Sequence, residues 1–84
     1  MAEGTERDRQ LERLAQLRQR GEQRYDDMYE AHTFEDSDIC YRDAKDCFDD
    51  AIELAARLGL EEEAEALQQR LWHIKQVYRS QFSR

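Results

Sequence analysis

Four residues of the chain are soft metal-ligand types, namely His32, Cys40, Cys47 and His73. A zinc site needs four ligands that converge tetrahedrally, and nothing in the sequence shows that convergence. Helical geometry places both cysteines on the flank of an apolar helix face, and it places His73 opposite the apolar face of its own helix. The pattern favours two buried thiols and a solvated histidine. We therefore predict no enzyme, no metal and no cofactor, with a thiol or metal-dependent enzyme as a remote alternative.

The spacing of the two cysteines argues against a disulfide between them. They are seven residues apart within one predicted helix, which separates their Cα atoms by roughly 10 Å. A disulfide bridges Cα atoms that are closer than about 7 Å. Both residues are expected to be free thiols, which fits a reducing compartment and a cytoplasmic location.

An acidic run around Asp36 suggests calcium binding, but its spacing is wrong for an EF-hand loop. Such a loop needs acids or amides at positions 1, 3 and 5, glycine at position 6 and glutamate at position 12. If the loop starts at Asp36, the last three of these positions fall on Cys40, Tyr41 and Cys47. The sequence therefore excludes a calcium loop of this kind.

Four further acids, which we call the acidic ridge, lie on the polar side of the second predicted helix. They are Asp43, Asp46, Asp50 and Glu53, at intervals of three and four residues. Such a ridge is either a solvated helix face or a docking site that attracts a basic partner.

The single tryptophan is the most informative exposed candidate. Trp72 lies about 120° from the centre of the apolar stripe of its helix, among Glu65, Gln68, Gln76 and Arg79. A large aromatic side chain among polar ones is typical of an interface anchor, because tryptophan is enriched among binding hot spots. The alternative is that the first helix or the N-terminal segment covers Trp72 within the monomer.

Three stripes of apolar residues predict the helices that position these side chains. Each stripe recurs every three or four residues, which fits the period of a helix that buries one face. The stripes comprise Leu11, Leu14, Leu17, Gly21, Tyr25 and Met28 in the first helix, Tyr41, Ala44, Phe48, Ala51, Ala55 and Leu58 in the second, and Leu60, Ala64, Leu67, Leu71, Ile74 and Tyr78 in the third. Short connections make neighbouring helices antiparallel, so the sequence predicts an all-α, three-helix, up-down-up bundle.

Polar residues and one glycine mark the ends of the predicted helices. The first helix should end near Ala31 or His32, and N-cap residue types between residues 33 and 38 should begin the second. Gly59 fits the left-handed position that closes the second helix near Arg57 or Leu58.

Residues 1–10 carry no apolar stripe, so we predict a flexible N-terminal segment there and a single domain over residues 11–84. Gly21 lies on the apolar face of the first helix, at a cost of about 1 kcal/mol relative to alanine. It is either a tolerated defect or a point where a neighbouring helix approaches closely.

Charge and hydropathy exclude several classes of protein. The net charge is -7, and residues 25–65 carry fifteen acids against three bases. A nucleic-acid-binding protein normally has a dense basic face, so we expect no nucleic-acid partner. No apolar run is long enough for a membrane span, so we expect no membrane partner. Arginine exceeds lysine by eleven to two, which suggests a bacterial genome of high GC content.

The segment YRDAKDCFDDAIELAARLGLEEEAEALQQRL, within residues 41–74, resembles the tetratricopeptide (TPR) repeat family. The resemblance is carried by Ala44, Phe48 and Ala51, the helix end AIELAARLG and the helix opening EEEAEAL. It covers the second helix of one repeat, the turn, and the first helix of the next. It implies a TPR-like helical scaffold that binds peptides or proteins, generally without catalysis.

Together these features predict a small, non-enzymatic protein–protein interaction module, either an adaptor or a chaperone-like subunit. We expect it to bind a protein through Trp72, Gln68, Gln76 and Arg79, with support from the acidic ridge. The alternative is a structural homodimer in which the first and third helices pair to complete an undersized core. We expect no small-molecule substrate.

Overall fold

The chain folds into three long helices followed by one π-helical turn. The computed structural model describes the backbone of residues 2–82 and the side chains of residues 6–82. The helices are α1, Ala2–Glu30, α2, Phe34–Arg57, and α3, Glu61–Val77, and the π-helical turn spans Tyr78–Phe82. Residues 2–82 contain no strand, so the predicted all-α, three-helix fold is confirmed. None of these helices combines the length and the hydropathy needed to cross a bilayer.

Helix α1 begins at Ala2, well before Leu11, where the apolar stripe starts. No proline interrupts this segment, so the helix can propagate towards the N-terminus without buried contacts. Burial begins only at Leu14. Whether residues 1–10 are flexible stays a prediction. Residues 1, 83 and 84, which belong to the predicted N-terminal segment and domain, lie outside the part of the chain described.

The two connections between helices follow from local side-chain and backbone chemistry. Thr33 caps α2, because its hydroxyl accepts a hydrogen bond from the backbone N–H of Asp36 at 3.1 Å. At the other end of α2, Gly59 adopts a φ of 78°. The Leu60 N–H then donates to the Ala55 carbonyl at 2.9 Å, and the Gly59 N–H donates to the Ala56 carbonyl at 3.1 Å. This pair of bonds is the Schellman closure, and the predicted left-handed role of Gly59 is confirmed.

Side-chain contacts fix the direction of the three helices. Arg24 of α1 contacts Asp43 of α2, whereas Gly21, one turn earlier, faces Phe48, which comes later in α2. These helices are therefore antiparallel. Between α1 and α3, residues 18 and 22 contact residues 63 and 70 in the same order. Helices α1 and α3 therefore run parallel, and α2 packs against both of them.

The largest fully buried side chains of the core are Met28 of α1, Phe48 of α2 and Ile74 of α3. Phe48 lies against Gly21, where an added Cβ atom would be 2.7 Å from Cε2 of the ring. Carbon atoms in contact are normally about 3.5–4.0 Å apart. Gly21 is therefore the point of close helix approach, and the interpretation as a tolerated defect is wrong.

Aromatic side chains fill the end of the bundle at which α1 meets α2. The ring of Tyr78 stacks on Tyr41 with centroids 3.9 Å apart, and its hydroxyl donates to Asp38 at 2.6 Å. Phe82 stacks on the other side of Tyr78 at 6.1 Å and meets the edge of Tyr29 at 5.4 Å. The π-helical turn is thus held to α1 and α2 by ring contacts.

Candidate protein-binding surface

Trp72 is the most exposed of the large apolar side chains, with 64% of its surface accessible. It follows Leu71, which is buried in the apolar stripe of α3, and the 100° step of a helix carries it out of that stripe. The structure leaves it uncovered, so neither α1 nor the described part of the N-terminal segment buries it. The covered alternative is therefore wrong for α1 and for the described side chains of residues 6–10, and the side chains of residues 1–5 lie outside the part of the chain described.

Three residues predicted to surround Trp72 are exposed and lie near it along the chain. Gln68 and Gln76 lie one turn before and one turn after Trp72 on α3, and Arg79 lies on the π-helical turn. We call these four residues the Trp72 face. It combines one large aromatic anchor with hydrogen-bonding and cationic groups, which is the composition of many binding hot spots.

The charge near the Trp72 face is positive on its C-terminal side, whereas the exposed Glu65 lies two turns before Trp72. Residues 66–82 contain no acid and three bases. One of these, Arg70, is engaged by Glu22 on α1. The other two, Lys75 and Arg79, are free to act on a partner, because neither has an ion pair within residues 6–82.

The acidic ridge does not join the Trp72 face. Asp43 is half-buried between α1 and α2, where its Oδ2 lies 2.8 Å from Arg24 Nε and 3.2 Å from Arg20 Nη2. The contact with Arg24 is ionic in character, because that buried Nε makes no hydrogen bond. Asp43 therefore stabilises the packing of α1 on α2 and is not a free acid.

The other members of the ridge, Asp46, Asp50 and Glu53, are exposed. Asp50 and Glu53 line a shallow groove whose other wall comes from α1 and includes Arg9 and Arg13. Arginines of the same chain thus face these acids. The acidic ridge lies along the seam between α1 and α2, whereas Trp72 lies on α3, so the predicted site residues form two separate surfaces.

The two cysteines and His73 lie where helical spacing predicts. Cys40 and Cys47 are unpaired and buried, and His32 and His73 are exposed. Burial raises the pKa of the Cys47 thiol, which disfavours the reactive thiolate. Within the described residues, no group of three or more His, Cys, Asp or Glu side chains is arranged to hold a metal ion.

A groove that the sequence did not predict lies between the parallel helices α1 and α3. Its volume is about 460 Å³, and its floor is formed by Phe48 and Leu67. Arg70 spans it and donates two hydrogen bonds of 2.7 Å to Glu22, while its guanidinium lies 5.1 Å from the centre of the Tyr25 ring. Trp72 does not line this groove.

A second ion pair crosses the same groove, from Arg18 of α1 to Glu63 of α3 at 2.9 Å. The available signal was Arg18 itself, a cation on the apolar stripe of α1. A cation at that position can pair with an acid from another helix. Sequence alone does not say which helix supplies that acid, because this depends on how the packed helices are shifted along their axes relative to one another.

No protein-family model, no curated protein and no solved structure matches this chain.

Proposed function

We propose that this protein is a non-enzymatic protein–protein interaction module that docks a partner through the Trp72 face. The observation that carries this proposal is the 64% exposure of Trp72 on a helix whose other large apolar residues are buried. Leaving an indole in water forgoes about 1.5–3 kcal/mol of burial free energy, as estimated for other large apolar side chains. A partner that covers the ring recovers this energy.

Charge indicates the kind of partner. Lys75 and Arg79 are the free bases beside Trp72, and no acid occurs between residues 66 and 82. An acidic surface with an apolar pocket for the indole complements this arrangement. The acidic ridge takes no part in this contact, because its neighbours lie on α1.

The TPR resemblance of residues 41–74 supports a binding role, since that family is a scaffold for peptides and proteins. We also place the module in the cytoplasm. Cys40 and Cys47 are both unpaired, and unpaired thiols fit a reducing compartment. The proposal includes no catalytic step.

The test compares three tagged proteins, the wild type, Trp72→Ala and Ile39→Ala, by co-purification from the native host. Ile39 is a matched control, because it is a large apolar side chain with 58% exposure on a different helix. We expect Trp72→Ala to weaken partner binding by about 2 kcal/mol or more, while thermal stability changes by less than about 0.5 kcal/mol. Ile39→Ala should retain the partner.

Fluorescence gives a direct readout, because Trp72 is the only tryptophan. Its emission should be red-shifted in the isolated chain and should move to the blue when the partner binds. Light scattering on the isolated wild type distinguishes a separate partner from a homodimer. Blue emission in a verified monomer, together with a large loss of stability in Trp72→Ala, would contradict the proposal.

A further inference from the structure

A second aromatic surface lies at the end of the bundle, and we call it the end patch. It consists of Tyr29 on α1, Phe34 on α2 and Phe82 on the π-helical turn. Tyr29 is 47% exposed and Phe34 is 51% exposed. The rings of Tyr29 and Phe82 are in edge contact, and Phe34 and Phe82 line the same small cavity of about 240 Å³. Three elements thus bring their aromatic side chains to one surface.

On α1 and α2 the chain around the end patch is strongly acidic, whereas the π-helical turn contributes one base, Arg79. Residues 25–38 contain six acids and no lysine or arginine. Two of the six have ion-pair partners within residues 6–82, Asp27 with Arg24 and Asp38 with Arg42. The exposed acids without such a partner are Asp26, Glu30, Glu35 and Asp36.

Helix stability explains two of these four acids. Glu35 and Asp36 lie in the first turn of α2, where negative charge is stabilised by the helix dipole. Asp26 and Glu30 instead lie near the C-terminus of α1. The last turn of that helix contains no base. The hydrogen bonds to Glu22 raise the pKa of Arg70, and the charge of Asp26 adds to this effect, so Asp26 also stabilises a cation of the fold. Negative charge at Glu30 is unfavourable for the helix dipole, and these contacts do not explain its presence beside Tyr29.

Two features at this end of the bundle therefore oppose stability, the exposed rings and the negative charge of Glu30 at the C-terminus of α1. Departures from local stability rules are expected where a protein binds something. A partner that carries cations around an apolar side chain would satisfy both features, by covering the rings and by neutralising this charge.

We propose that the end patch binds a basic segment of a partner protein. An apolar or aromatic side chain of that segment packs on Tyr29 and Phe34, and flanking lysine or arginine residues face Asp26 and Glu30. This site shares no residue with the Trp72 face and has the opposite charge. It therefore does not depend on the function proposed above.

A random peptide library displayed on phage tests this chemistry directly, because it samples basic, acidic and apolar segments alike. The library is selected on the wild-type protein alone, so that the effect of each substitution stays an independent test. We expect enriched peptides to carry lysine or arginine around an aromatic or aliphatic residue. The affinity of one labelled, selected peptide is then measured by fluorescence anisotropy for each variant.

Phe34→Ala should weaken binding of that peptide by about tenfold or more. Glu30→Lys should also weaken binding of the peptide by about tenfold at low salt. The difference in affinity between this variant and the wild type should become smaller as the salt concentration is raised. The same change should raise the melting temperature, because it puts a cation at the C-terminus of α1, so misfolding cannot explain the lost binding. Leu11→Ala, an exposed apolar residue far along α1, is the control and should bind normally.

Three results would overturn the proposal. The first is no enrichment, or enrichment of acidic peptides. The second is a selected peptide that binds Phe34→Ala as well as the wild type. The third is self-association of the wild type that Phe34→Ala abolishes in light scattering, which would make a second copy the occupant of the end patch.

Discussion

Replacing Gly21 with alanine should destabilise this protein, although the same change stabilises most helices. Gly21 lies within α1, and a Gly→Ala change inside a helix gains about 1 kcal/mol from backbone propensity. An alanine Cβ at this position would lie 2.7, 2.9 and 3.2 Å from three atoms of the Phe48 ring. The sign of the effect depends on whether that ring can move.

The ring has little freedom, because Phe48 is only 1% exposed and lies in the main core cluster. Restoring an ordinary contact distance of about 3.5 Å or more requires a shift approaching 1 Å. Overpacking of this kind costs about 1–3 kcal/mol. The nearly complete burial of the ring puts this cost in the upper part of the range, about 2–3 kcal/mol. After the propensity gain of about 1 kcal/mol is subtracted, we expect Gly21→Ala to lose about 1–2 kcal/mol. Each kcal/mol corresponds to roughly 4–8 °C in melting temperature for a domain of this size.

Urea unfolding followed by circular dichroism measures this loss. Ala15→Gly, at an exposed position on the same helix, measures the difference in helix propensity between alanine and glycine separately from the contact with Phe48. It should lower the stability by about 1 kcal/mol. The variant Phe48→Leu removes the ring edge, so Gly21→Ala should be neutral or stabilising in that background. A Gly21→Ala protein at least as stable as the wild type would refute the close approach. An unchanged loss in the Phe48→Leu background would refute the ring as its cause.

Three further outcomes are expected. Phe48→Ala should lower the free energy of unfolding by roughly 3 kcal/mol, because it removes a buried aromatic ring. If this variant melted at the wild-type temperature, the assignment of Phe48 to the core would be wrong. A thiol reagent should label Cys40 and Cys47 slowly in the folded protein, because both are buried, and should titrate both after denaturation; a shortfall in unreduced, denatured protein would mean that a thiol is modified. Burial and the hydrogen bond to Asp38 raise the pKa of Tyr78 to about 12 from 10.0. Because the unfolded chain releases this proton first, the associated stability is present below pH 10 and is lost as the pH rises towards 12. In pH-dependent urea unfolding, Tyr78→Phe should therefore lose less stability over this range, and an identical slope would contradict the assignment.

The helices and their ends were predictable wherever the sequence contains an apolar stripe, an N-cap residue or a turn residue. The second and third stripes became the buried faces of α2 and α3, and Gly59 closed α2 as its position indicated. The start of α1 was not predictable from a stripe, because the helix begins at Ala2 and its described side chains before Leu11, residues 6–10, bury no face. An apolar stripe marks only the part of a helix that is buried, so it cannot show how far the helix continues beyond that part.

The candidate surfaces were predictable only in part. The exposure of Trp72 follows from its angle on α3, which is a property of one helix. The separation of the acidic ridge from Trp72 depends on which flank of α2 faces α1, and that is a property of the packed bundle. The ion pair between Glu22 and Arg70 joins residues 48 apart in sequence, and no local pattern links them.

The central position of α2 also has a consequence for how the chain reaches its native state. Both helical hairpins, α1 with α2 and α2 with α3, share this helix, and their connections are only a few residues long. Such local topologies fold on the microsecond to millisecond scale. Either hairpin can form first, but each needs α2 in place. Mutations in its buried stripe should therefore slow folding, whereas mutations at the ends of α1 should mainly speed unfolding.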